Sequence, residues 1–102
     1  MKSIYKSLPV TGYNLEERKE AARKVKRKLL NEGWAVYNPL DKSNVSDDAP
    51  RSVHMREDLK LLLKCDAICM LPGWNNSNGC NTELRVAQEC GMEIYYESYE
   101  TN

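Results

Sequence analysis

A chain of 102 residues, 41% hydrophobic and 29% charged, carries enough apolar material for one packed core and is sized for one small domain, residues 1–102. Fifteen Lys and Arg balance fifteen Asp and Glu, so nothing electrostatic points to a nucleic acid polymer or an acidic membrane as partner. No apolar run nears the length of a membrane span and no signal-peptide pattern opens the chain, so a cytoplasmic location is expected.

"SIYKSLPV" is β-rich and predicts a first strand broken near its end by Pro9. "TGY" is a turn signal. Asn14 then reads as an N-cap, with Glu17 three residues on, ahead of a helix over Leu15 to Asn31. Leu15, Ala22, Val25, Leu29 and Leu30 recur at helical spacing, and Gly33 is the stop. The basic cluster from Arg18 to Lys28 is mixed with Glu16, Glu17 and Glu20, which reads as a solvated helix face.

"WAVYNP" predicts the second strand, and "LDKSNVSDDAP" a polar loop. Arg51 to Lys64 predicts the second helix, with Met55, Leu59, Leu62 and Leu63 forming most of its buried stripe. "CDAICML" is apolar enough for a strand buried on both faces. "PGWNNSNG" is a loop, Asn81 to Cys90 a third helix stopped by Gly91, and "EIYYE" a fourth strand. Alternating strands and helices imply an α/β fold: a small flavodoxin- or Rossmann-like parallel sheet of about four strands, with helices on both faces. In such sheets ligands bind beyond the carboxyl ends of the strands, where the strand order reverses. "SLPVTGY", "NPLDKSN" and "PGWNNSNG" all emerge at that edge.

Four cysteines at 65, 69, 80 and 90 and a single His lack the spacings of a zinc site, so neither metal nor cofactor is expected. Cys65 and Cys69 act as small hydrophobes in the strand-like run. Disulfides are not expected in a cytosolic chain.

Candidate site residues follow from the ligand edge. Glu83 lies near the start of the third helix. A capping box would need Ser or Thr at position 80, where Cys80 stands, so Glu83 is either a helix-dipole acid or a carboxylate nucleophile. Asp58 sits one turn from Met55, Leu61 and Leu62, at the edge of a buried stripe. It either pairs with His54 or Arg51 or faces a ligand. Tyr5 packs in its strand or offers its hydroxyl to a ligand or a carboxylate. Ser77, Asn78 and Gly79 could give a phosphate free N–H groups ahead of a helix, or form a plain polar turn. Trp74 could stack on a base or cover the core. Ser7, Pro9 and Gly12, in the segment after the first strand, complete the candidate binding set.

Together, "IY" in strand one, "PVTGY", "NPLD", "MREDL", "CDAICMLPGW" and "SNGCNTEL" resemble the nucleoside 2-deoxyribosyltransferase superfamily, including its deoxynucleoside 5′-monophosphate N-glycosidase branch. The resemblance is closest to a group of short bacterial and phage relatives and covers nearly the whole chain. It implies Glu83 as nucleophile, Tyr5 as the residue orienting that carboxylate, and Asp58 as the group that binds the sugar hydroxyls or orients the ring. It places Ser77 where the transferases carry Asp and the nucleotide hydrolases a phosphate-contacting Ser, which favours nucleotides. It implies cleavage or transfer of an N-glycosidic bond on a nucleoside or its 5′-monophosphate. The alternative is a non-catalytic nucleotide-binding protein, a sensor or sponge, using the same pocket. The sequence departs from the pattern at "KSLP", where Leu8 replaces a glycine and is expected to narrow the sugar or phosphate site, and where Lys6 enters an apolar strand. The C-terminal segment that completes a neighbouring subunit's site in full-length transferases is largely missing, and a homodimer or higher homo-oligomer is expected.

Overall fold

The computed structural model describes residues 1–9, 14–39, 45–46 and 48–97. In chain order these form β1 (Ser3–Ser7), α1 (Leu15–Asn31), β2 (Ala35–Tyr37), α2 (Arg51–Leu62), β3 (Ala67–Met70), a single 3-10 turn (Trp74–Asn76), α3 (Asn78–Glu89) and β4 (Glu93–Tyr96). The four strands make one parallel sheet in the order β2-β1-β3-β4. This is the expected α/β architecture.

Local chemistry sets the ends of α1. Asn14 accepts a hydrogen bond from the Glu17 N–H at 3.1 Å, so the side chain satisfies one orphan donor. Gly33 follows the last turn with φ 94°, the left-handed stop that a β-carbon disfavours. Alternation along β1 divides the molecule into two layers. Ile4 and Leu8 face α1 and pack with Ala22, Val25, Leu29, Ala67, Cys69 and Leu71. Tyr5 faces the other way and packs with Leu62, Ile68, Met70, Cys80, Leu84 and Ala87 under α2 and α3. Every residue of β3 is buried, as its apolar run predicts.

One expectation is corrected, and the two departures at "KSLP" are placed. Leu30 is 50% and Leu63 57% exposed, so neither belongs to a buried stripe. Lys6 is fully buried on the α1 side, where its Nζ donates to the Ala22 carbonyl at 2.6 Å; a long stem and a charged-group hydrogen bond let it enter an apolar strand. Leu8 is 7% exposed and its side chain belongs to the α1-side core, on the opposite face from Tyr5.

Candidate active site

The strand order fixes where a ligand would sit. From β1 the chain steps to β2 on one side, then crosses to β3 on the other. The reversal therefore falls between β1 and β3, at their carboxyl ends. Ser7 and Met70 are paired at that edge.

Glu83 reaches this edge from α3. It is 4% exposed, and both of its carboxylate oxygens are occupied by hydroxyl donors from β1. The Tyr5 hydroxyl donates to Oε2. The Ser7 hydroxyl donates to Oε1 at 2.7 Å. Tyr5 and Ser7 are themselves fully buried. Burial first, then the negative charges of Glu83 and Asp58, push the Tyr5 phenol well above its ordinary value, so it stays protonated and remains a donor. Asp58, half-buried on α2, brings its charge close enough to act on both Tyr5 and Cys80. The structure joins Tyr5 of β1 to Glu83 of α3 directly and sets Asp58 on α2 within reach of Tyr5 by charge.

Cys80 lies one turn before Glu83 and is 2% exposed. Burial pushes its thiol pKa up, and the nearby Ser7 and Ser77 hydroxyls pull it the other way. Among the described residues no group of three or more His, Cys, Asp or Glu side chains is placed to hold a metal ion.

The loop after β3 differs from expectation. The helix starts at Asn78, three residues earlier than predicted, and Ser77 is its N-cap: the Ser77 Oγ accepts from the Cys80 N–H at 3.2 Å. Glu83 therefore sits in the second turn, beyond the range of a first-turn dipole contact. Asn78 and Gly79 lie inside the first turn, with Asn78 exposed. A β-carbon on Gly79 would meet the Met55 methyl at 3.4 Å, so this glycine faces α2. Trp74 packs partly on the α2/α3-side core and meets the Tyr96 ring, centroids 5.5 Å apart. Pro9 is fully buried. Gly12 lies outside the described residues.

Sequence reasoning missed the Ser7–Glu83 contact. It placed Ser7 in the loop that meets substrate. The available signal was alternation: residues 5 and 7 of one strand share a face, so a carboxylate that meets Tyr5 also lies within reach of residue 7.

The fold just described is that of the 2-deoxyribosyltransferases. The 2-deoxyribosyltransferase from the psychrotolerant bacterium Bacillus psychrosaccharolyticus superposes with a TM-score of 0.73 at 19% identity, over 98% of this chain and 76% of that one. The enzyme from Leishmania mexicana superposes with a TM-score of 0.72 at 19% identity, over 100% of this chain and 67% of that one. The chain belongs to the family described as Domain of unknown function (DUF4406), which matches residues 2–96. No curated protein matches it.

Proposed function

We propose that this protein cleaves or transfers the N-glycosidic bond of a nucleoside or nucleoside 5′-monophosphate, with Glu83 as nucleophile. One observation carries the reading. A nearly buried carboxylate stands at the reversal point of the strand order, held by hydroxyl donors on both oxygens. Such a group is fixed in direction before substrate arrives. A Glu83 oxygen attacks the sugar C1′, a C1′–O bond forms, and the C1′–N bond breaks with its electron pair going to the base. The base takes a proton as it leaves, and Asp58, whose charge reaches Tyr5 and Cys80, is the group we assign to deliver it in its protonated form. Water, or a second base, then attacks C1′ and frees the carboxylate. The 4% exposure of Glu83 requires side chains at the rim to part as the sugar arrives. The 2-deoxyribosyltransferase neighbours support this reading through the shared fold.

Base release tests it. Purified protein is incubated with deoxy- and ribonucleosides and their 5′-monophosphates, and free base is followed by chromatography. Wild type is expected to release base and Glu83→Gln to release none while keeping its melting temperature. Equal release by both would overturn the role of Glu83. No release from any compound, with one of them raising the melting temperature, would establish a binding protein instead.

The same reading includes self-association. Among the described residues β4 is an edge strand, and it exposes Tyr95 (43%) and Tyr96 (58%). A dimer or larger homo-oligomer is expected by size exclusion with light scattering; a clean monomer at micromolar concentration contradicts it.

A further inference from the structure

We infer that Ser7 is a positioning residue: its hydroxyl fixes the Glu83 carboxylate and does not contact substrate. The inference rests on Glu83 as the nucleophile for its catalytic consequence. Its local content stands on geometry.

The last torsion of a Glu side chain is broad, so a single donor leaves the carboxylate free to turn. Tyr5 and Ser7 project from the same face of β1, roughly 6.8 Å apart along the strand. Tyr5 reaches one oxygen from deeper in the sheet; Ser7 reaches the other from the carboxyl edge, at 2.7 Å. Turning the carboxylate then breaks one of the two bonds. Ser7 has a single hydrogen to donate. To bond a substrate as donor it would have to release Glu83. It is fully buried. The 2.7 Å contact with Glu83 Oε1 takes that hydrogen. Ser77, the hydroxyl first expected to meet a phosphate, accepts from the Cys80 N–H as the cap of α3.

Tyr5 from β1 bonds Glu83, Cys80 on the same helix feels its charge, and Asp58 on α2 acts on both of those groups. Removing one donor to a carboxylate raises the pH at which it takes up a proton. Carbon-13 NMR of the Glu side-chain carboxyls, with the Glu83 signal assigned through Glu83→Gln, reads this directly in wild type, Ser7→Ala and Ser7→Thr. Glu83 is expected to titrate at higher pH in Ser7→Ala and to return towards wild type in Ser7→Thr, which keeps the hydroxyl. On the substrate found by base release, Ser7→Ala is expected to lower kcat on the order of tenfold, the loss of one hydrogen bond to a charged group, with KM unchanged. The acid limb of its pH profile moves the same way. If Ser7→Ala fails to fold, Ser7→Cys under reducing conditions replaces it, since a thiol is a weak donor. An unmoved Glu83 titration overturns the inference, as does a rise in KM with kcat unchanged. Base release by Glu83→Gln would sink the nucleophile reading alone and leave the titration to judge Ser7.

Discussion

A carboxylate that is 4% exposed loses most of its water, and that loss costs several kcal/mol unless protein donors replace it. At Glu83 the donors include Tyr5 and Ser7. Tyr5→Phe removes one of them without changing the ring that packs under α2 and α3. The expected result is a loss of about 1.5–3 kcal/mol in urea denaturation, because a charged group is left short of a hydrogen bond. Base release is expected to fall with it. An unchanged stability would mean that another donor takes the place of the phenol. At this scale the sequence left Tyr5, Asp58 and Glu83 each with two readings, and only the resemblance to the deoxyribosyltransferase superfamily joined them into one set. Ser7 was legible only in part. It was read as loop, whereas β1 runs through it to the sheet edge and turns its hydroxyl inward.

The start of α3 shows how composition can hide an element. "NNSNG" is made of residues that favour turns, so the helix was expected to begin at Asn81. It begins at Asn78 because Ser77 caps it, and a cap outweighs the poor propensity of Asn78 and Gly79. Ser77→Ala is expected to cost about 1 kcal/mol and to lower the melting temperature by about 4–8 °C. A melting temperature within a degree of wild type would show that the cap contributes nothing. Gly79→Ala tests the reading of the same turn as a ligand cradle. Its β-carbon would lie 3.4 Å from the flexible end of Met55, which is ordinary contact, and the helix gains up to about 1 kcal/mol. Melting temperature is expected to rise with KM unchanged. A rise in KM would restore Gly79 to the binding set. Leu30 and Leu63 teach a related lesson: helical spacing alone does not tell the last apolar position of a stripe from an exposed residue beside it.

For the molecule as a whole, alternating elements announced the parallel sheet, but the order β2-β1-β3-β4 comes from packing between distant segments. That order makes β1 and β3 the central strands and places Ser7, Met70 and Glu83 at one edge of the sheet. The same burial that shields the site predicts how the protein fails in base. Burial pushes the Cys65 thiol from 9.0 up to about 11 and the Cys69 thiol up to about 12. Tyr5 is raised above 10.0 for the same first reason. In each case the folded form holds its proton where the unfolded chain has lost it, so ionisation favours unfolding. Stability is therefore intact below pH 9.0 and falls as pH rises towards about 12. Urea midpoints measured across that range are expected to decline, and less steeply in Cys69→Ala. A flat profile would mean that the thiols are not shielded.

The central claim is that a Glu83 oxygen bonds to the sugar. Mass spectrometry of the protein, acid-quenched during turnover of the nucleoside or nucleotide identified by base release, tests it most directly. The account predicts a mass increase equal to one sugar residue, carried on the peptide that contains Glu83 and absent in Glu83→Gln. An adduct on any other residue, or steady product formation with no adduct under conditions slow enough to trap one, would contradict it.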